Sequence, residues 1–396
     1  LQTNPFPEFT ARICPALCEG SCVLGVGFQS VAVRQVEAAI IEKGFEKGYI
    51  VPRPPAERRK ENIAIIGSGP AGLAAAERLN RAGLNVVVYE SAQQPGGVLR
   101  YGIPDFKLEK KILDRRINLM REEGIVFKTG VEAGKDISEK YLRDRFAAIL
   151  LAGGAREPRD LKIPGRDLKG IHFAMEYLVL QNMINSGESV EGRAQITANG
   201  KNVVVVGGGD TGSDCLGTAL RQGAKHVMQV EILPKPPQDR AENTPWPMWP
   251  NMLRESSSHK EGGGRKWGVS PKEFAGKDGN VEALKCVEVE WKKASDGRTS
   301  PVEKPGSEFV LPAGLVLLAM GFVGPGKSPL VDKLGLARDE KGFIKRDERN
   351  MTSVAGIFTS GDMTQGPSLV VRAIADGIKA ADGISNYIEA SEEKKF

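Results

Sequence analysis

The chain has 396 residues, 47 of them glycine, with 40% hydrophobic and 27% charged residues and a formal net charge of +5 from 55 bases and 50 acids. That length predicts two or three domains with full cores. The glycine excess has no Gly-X-Y period, which excludes collagen, and the positive charge is too dilute for a nucleic-acid-binding chain.

Residues 1–30 are rich in Pro, Cys and Gly and lack periodicity. Residues 31–48 place Val33, Val36, Ile40 and Ile41 on one face of an expected amphipathic helix. The prolines of 51–59 read as a linker. A short apolar run, Asn62–Ile66, then leads through glycines into a helix, Leu73–Arg81, and a second strand, Asn85–Glu90. Phe146–Ala152 is an expected strand ending at Gly153-Gly154. The first pattern then recurs as strand Asn202–Val206, glycines, helix Ser213–Arg221 and strand His226–Ile232. Residues 234–280 read as an excursion from this second unit, with Trp246 and Trp249 in loop packing. The longest apolar run, Leu315–Val323, reads as a buried strand and falls short of the ~18 residues of a spanning helix; within it, Leu315–Ala319 is an expected strand that ends at Gly321-Phe322. Strand Gly356–Thr359 and a helix from Ser368 to about Ile384 close the chain. Strands alternating with helices predict α/β architecture with parallel sheets.

The glycine loops carry the chemistry. In Gly67-Ser68-Gly69-Pro70-Ala71-Gly72, Gly67 permits the strand-to-helix turn, Gly69 admits a pyrophosphate and Gly72 lets helix and strand pack closely. The amides of a helix N-terminus suit phosphate. Glu90 follows Gly72 by 18 positions, where it can bind the adenosine ribose. The second loop, Gly207-Gly208-Gly209-Asp210-Thr211-Gly212, has Glu231 placed 19 positions beyond Gly212. A carboxylate there repels a 2′-phosphate and favours NADH, although Lys235 and Arg240 follow. Two dinucleotide sites in one chain imply a resident flavin at the first and a diffusing nicotinamide at the second. The tail supports this, because Gly361-Asp362 ends a strand with an acid for the ribityl chain, ahead of a helix whose positive end can face the flavin.

Five cysteines make an odd count, and three of them, Cys14, Cys18 and Cys22, crowd together. This is a poor disulfide framework and points to a reducing compartment. Thiolates at that spacing suit an iron–sulfur cluster or zinc. Beside two redox nucleotides, iron–sulfur makes more chemical sense, and unligated thiols are the third reading. A fourth ligand is expected from a segment before Leu1 or from a carboxylate such as Glu37. Cys215 has no CxxC partner, which counts against disulfide reduction, and Cys286 reads as core. His172, His226 and His259 form no metal or triad spacing.

These motifs run nearly end to end: PEFTARICPALCEGSCVLG, GSGPAGLAAAERLNRAG, PGGVLRYGIPDFKL, IPGRDLKGIHFAMEYL, GGGDTGSDC, VEILPKPP, PWPMWP and TSGDMTQGPSLVVRAI. Together they resemble the small (beta) subunit family of glutamate synthase and the matching C-terminal region of eukaryotic NADH-dependent glutamate synthases. The resemblance implies a helical iron–sulfur domain over 1–50. It implies an FAD-binding domain over 61–158 and 323–396, with a nicotinamide-binding domain inserted over 159–322. FAD would meet the first glycine loop, Glu90, Gly97, Val98, Lys107, Val131, Gly361, Asp362, Ser368, Leu369 and Val370. NADH or NADPH would meet Gly207, Gly209 to Gly212, Glu231, Ala319, Met320 and Gly321. Cys14, Cys18 and Cys22, with Glu37, would serve 4Fe–4S clusters, and the family's first cysteine group would precede Leu1.

The implied function is electron input to glutamate synthesis. Hydride passes from NAD(P)H to FAD, then single electrons pass through clusters to a large (alpha) subunit or domain acting on glutamine and 2-oxoglutarate. No side chain of this chain need act as acid or base. The expected setting is cytoplasmic, or a plastid or other reducing compartment, with no nucleic-acid or membrane partner and no signal peptide. Two other readings stand beside it: a flavin and iron–sulfur reductase module serving another partner, as in dihydropyrimidine dehydrogenase or sulfide dehydrogenase, and a nucleotide-bound scaffold without activity.

Overall fold

The computed structural model describes residues 1–293 and 297–393. At its centre are two five-stranded parallel sheets with the same arrangement. In the first, Asn62–Ile66 is central; Asn85–Glu90 and Val126–Thr129 lie to one side, Ala148–Leu151 and Ile357–Thr359 to the other. In the second, Asn202–Val206 is central; His226–Glu231 and Gly264–Trp267 lie to one side, Leu315–Leu318 and Ile171–Phe173 to the other. The runs NIAII and NVVVV are continuous rather than alternating because both faces of each central strand are covered. Parallel neighbours require crossovers, and the helices Pro70–Arg81 and Asp210–Arg221 supply them directly after each central strand. The α/β class with two Rossmann-like units is therefore the fold of this chain.

Both crossover helices start three residues earlier than hydrophobic periodicity suggests. Their first turns hold Pro70 and Asp210, residue types that favour helix starts but add nothing to an apolar stripe. The C-terminal helix, Val370–Glu393, runs beyond Ile384. It lies against Pro70–Arg81 at Gly377, where any side chain would strike the Ala71 carbonyl.

Three sequence readings need correction. The run Leu315–Val323 is not one strand. It turns at Ala319–Gly321, and Phe322–Gly324 pairs antiparallel with Glu157–Pro158. These two segments are the connectors by which the chain leaves the first sheet and returns to it. Residues 234–280 are more than an excursion. Gly264–Trp267 is an edge strand of the second sheet, and its charged GRKW sequence hides it, as edge strands often are charged. Val269–Lys277 belongs to an antiparallel sheet with Asn280–Lys293, Thr299–Glu303 and Phe309–Pro312. That sheet buries Phe274, Leu284 and Cys286 against Val204, Val316 and Leu318. Lastly, the helix Val33–Glu46 forms, but Val36 and Ile40 are 49% and 68% exposed. The helix docks instead through Ile41, through Glu42 paired with Arg12 and Arg115, and through Phe45 under Arg115.

The cysteine-bearing segment is tied to the first sheet's core by Phe6 and Phe9, both fully buried. Glu8 accepts a hydrogen bond from Arg116 Nε at 2.6 Å, with both side chains buried. No helix among the described residues is long and apolar enough to cross a membrane.

Candidate dinucleotide sites and the cleft between them

The first cradle is the turn from Asn62–Ile66 into Pro70–Arg81. Gly67 adopts φ +107°, and a Cβ there would run into the Ala152 carbonyl; only glycine fits. A Cβ at Gly72 would overlap the Gly67 carbonyl oxygen, whereas one at Gly69 meets nothing within 4 Å. Open space over Gly69, facing a helix start, is what a pyrophosphate requires. Gly97, ahead of the short helix Val98–Tyr101, lies against Gly69, with its ideal Cβ 2.7 Å from the Gly69 Cα. Gly361 reaches the same place from the tail, near the Ala71 side chain.

Glu90 organises this turn. Its Oε2 accepts Ser68 N at 3.1 Å and Ser68 Oγ at 2.6 Å, and its Oε1 accepts Ala92 N at 2.8 Å and Ser91 Oγ at 3.2 Å. All four acceptor positions are thus engaged, so a ribose hydroxyl would replace a serine hydroxyl rather than find a vacant lone pair. Val131 N donates to the Glu90 backbone carbonyl, which ties the Val131 backbone to the end of this strand.

The second cradle repeats the design. A Cβ at Gly207 would strike the Ala319 carbonyl, one at Gly212 the Gly207 carbonyl, and one at Gly209 meets nothing within 4 Å. Glu231 Oε2 accepts Gly208 N at 2.6 Å, the counterpart of the Glu90 contact with Ser68, and its Oε1 accepts Leu233 N. Met320 and Gly321 follow Ala319 at the mouth of this loop.

Two supporting residues carried no sequence signal. Gln229 Nε2 donates to Gly207 O at 2.7 Å, and Gln229 Oε1 lies 2.8 Å from His259 Nε2. Ser256 N donates to His259 Nδ1, which places the ring proton on Nε2, facing Gln229. Burial, reinforced by Arg265, lowers the His259 pKa to about 4, so the ring is neutral. A chain of neutral hydrogen bonds therefore holds the first glycine of the second loop from a segment about 50 residues downstream.

The tail turn is held by Asp376. Its Oδ2 accepts Gly361 N at 2.7 Å and Ser360 Oγ at 2.9 Å, and Arg346 pairs with both carboxylate oxygens at 2.8 Å. Burial opposes this charge, but Gly361 N–H and Arg346 keep its pKa below the usual value. Asp362 accepts Ser368 Oγ at 3.0 Å; its burial raises its pKa. Leu369 O accepts the first amides of the helix that Val370 begins.

Between the cradles, Lys107 from the first unit makes an ion pair with Asp214 on the helix of the second. Asp214 is 7% exposed, and Lys110 lies close by. Burial pushes the Asp214 pKa up to about 6 against the pull of Lys107.

The cysteines are all free thiols. Amide N–H groups of Val31, Leu24 and Gly25 hold the Cys22 thiol below its ordinary pKa, while desolvation, with Cys14 nearby, raises that of Cys18. Among the described residues no three His, Cys, Asp or Glu side chains form a group able to hold a metal, and Glu37 does not join the thiols. The Trp loop clasps this segment: Arg240 donates to Gly20 O at 3.0 Å, Ser21 Oγ donates to Pro247 O at 2.7 Å, and Trp249 lies against Gly20. Cys215 and Cys286 are buried, and desolvation raises both pKa values, that of Cys286 to about 12. Neither is a reactive thiolate.

Residues 61–377 match the family described as pyridine nucleotide-disulphide oxidoreductase. The chain is 51% identical over 392 residues to the glutamate synthase (NADPH) small chain of Mycobacterium tuberculosis, covering 98% of this chain and 79% of that one. The chain belongs to the glutamate synthase small-chain branch of that family. It is also 48% identical to the glutamate synthase (NADH) of Schizosaccharomyces pombe, over 96% of this chain and 18% of that much longer protein. Two solved structures share the fold. They are M. tuberculosis FprA in complex with NADPH (TM-score 0.67, 22% identity, 85% of this chain and 86% of that one) and T. acidophilum thioredoxin reductase (TM-score 0.56, 19% identity, 84% and 99%).

As a member of this small-chain family, the protein is an NAD(P)H-dependent flavoprotein oxidoreductase, and its Asp214 gives it a pH signature. The unfolded chain releases this proton near 3.8, whereas the folded chain keeps it to about 6. The folded state binds more protons in that window, so stability falls as pH rises from about 4 to 6, by on the order of 3 kcal/mol, and is level above. In chemical denaturation across this range, Asp214→Asn is expected to flatten the slope. An unchanged slope would assign it to another group.

Proposed function

We propose that the chain is the electron-input part of a glutamate synthase, oxidising NADH, or NADPH, and delivering single electrons to a large subunit that makes glutamate from glutamine and 2-oxoglutarate. The observation that carries this reading is the pair of like-built cradles, each with one open glycine, in two units joined by the Lys107–Asp214 ion pair. Bound at the first cradle, FAD would supply the two-electron to one-electron conversion.

The chain's own residues bind and orient. Gly67 to Gly72, with Gly97 and Val98 beside them, would take the FAD pyrophosphate, and Glu90 and Val131 the adenosine end. Gly361, Asp362 and Ser368 to Val370 would take the flavin end. Gly207 to Gly212 and Glu231 would take the nicotinamide dinucleotide, with Ala319 to Gly321 at the mouth. On this reading residues 61–158 and 323–396 form the FAD unit and 159–322 the nicotinamide unit. Lys107 and Asp214, paired across the boundary of the two units, would hold them in register.

Cys14, Cys18 and Cys22 would be cluster ligands, with the rest of the coordination supplied from outside the described residues. The support is chemical: amide donors stabilise a thiolate at Cys22, as a soft metal site requires. No step is derived through a cluster.

Mixing the purified holoprotein with NADH anaerobically in a stopped-flow instrument is expected to bleach the flavin absorbance. Persistent absorbance with both NADH and NADPH would defeat the reading. Glu231 further favours NADH, because its carboxylate would face a 2′-phosphate. Glu231→Gln keeps an acceptor for Gly208 N and removes the charge. It is expected to shift the kcat/KM ratio toward NADPH by about tenfold; an unmoved ratio would show that Glu231 does not set the preference.

A further inference from the structure

The two connectors between the sheets carry a feature neither cradle uses. Arg156 N donates to Gly324 O at 3.1 Å within the connector pair. Beside that pair opens a cavity of about 400 Å³. Its charged walls are Arg156, Glu157 and Lys327 from the connectors, and Asp332, Arg338 and Lys341 from the segment returning to the first sheet.

Arg338 is already paired with Asp332. The remaining three cations, Arg156, Lys327 and Lys341, have no side-chain ion-pair partner among the described residues, and only Glu157 stands against them. Lysines on other faces pair in places, as Lys272 does with Glu303 and Lys285 with Glu273. Three such cations of a chain whose net charge is only +5 gather around this one hollow. Their mutual repulsion is unfavourable with the cavity empty, and a concave wall focuses the field they share. Arginine adds a fork that matches phosphate or carboxylate oxygens. The volume falls within the range of small-molecule sites, ~300–1,000 Å³.

We infer that this cavity binds a small polyanion, a molecule carrying phosphate or several carboxylates. Such a ligand would bridge the connectors to the 332–342 segment and so restrain the link between the two sheets. The inference does not depend on the hydride reading, because binding itself is the readout.

The test uses holoprotein with flavin bound and NAD⁺ saturating, so that both cradles are filled. Inorganic phosphate and, separately, citrate are titrated by calorimetry at low ionic strength. Saturable binding is expected for at least one of them. The two arms tell a phosphate site from a carboxylate site. Lys327→Gln combined with Lys341→Gln is expected to weaken binding about tenfold or more, with the flavin spectrum unchanged, and Arg156→Gln to act alike should the pair not fold. Lys345→Gln, an exposed neighbour outside the cavity, should leave binding as it was. No saturable heat with either anion, or equal weakening by Lys345→Gln, overturns the inference, as does binding indifferent to the cavity substitutions.

Discussion

Gly69→Ala is expected to leave the fold intact and empty the first cradle of its flavin, and Gly209→Ala to spare the flavin but cripple nicotinamide use. The backbone at both positions is extended, which any residue adopts. An added methyl meets no protein atom within 4 Å at either site. It projects only into the space where a pyrophosphate would lie. Compared with both proteins free of cofactor, melting temperatures should therefore stay within about 2 °C of the parent. Losing close approach to charged phosphate oxygens costs about 1.5–3 kcal/mol, so KM for NADH should rise about ten- to a hundredfold in Gly209→Ala. Gly72→Ala is the contrast, because its Cβ overlaps the Gly67 carbonyl. There the loss should be of stability, about 3 kcal/mol or more. A Gly69→Ala protein purified with full flavin content would mean that no pyrophosphate passes over this glycine.

Glu8→Ala should strongly destabilise the N-terminal segment. Glu8 is fully buried and its partner Arg116 is 4% exposed, so truncation leaves a guanidinium in the core without its counter-charge. Breaking such a pair costs about 3–5 kcal/mol. The lower end of that range applies here, since Glu8 Oε2 and Arg116 Nη2 have no hydrogen-bond partner. The helix Pro7–Ile13 leads directly into Cys14, and Phe6 and Phe9 anchor it in the first core. Limited proteolysis of Glu8→Ala should therefore cut near the cysteines under conditions where the parent resists. Replacing both partners, as Glu8→Leu with Arg116→Met, should recover much of the loss. Denaturation curves for Glu8→Ala that overlay the parent would show that Arg116 needs no partner there.

The two-unit plan was legible because strand, glycine turn and helix are local. Asn62–Ile66, Asn85–Glu90 and Asn202–Val206 have the bounds their apolar runs predict. The glycines at 72 and 212 are demanded by contacts within their own turn, and those at 67 and 207 by a positive φ at the turn as well as by the distant carbonyls of Ala152 and Ala319. Gly264–Trp267 was illegible because an edge strand needs no buried stripe, and the separate strand Phe322–Gly324 because a connector can be as apolar as a strand. The stripe Val36 and Ile40 misled because apolar residues on a helix do not say which face finds a neighbour.

Sequence alone determined the repeated unit and its two glycine turns, and hence the class of molecule they suit, since a phosphate-binding turn is built from consecutive residues. Only the tertiary structure decided that Glu90 and Glu231 clamp their own loops, that Gln229 and His259 brace the second one, and that Lys107 meets Asp214 across the cleft. Those pairings join positions 22 to 107 residues apart. They exist because packing the sheets brings together side chains whose spacing along the chain carries no period.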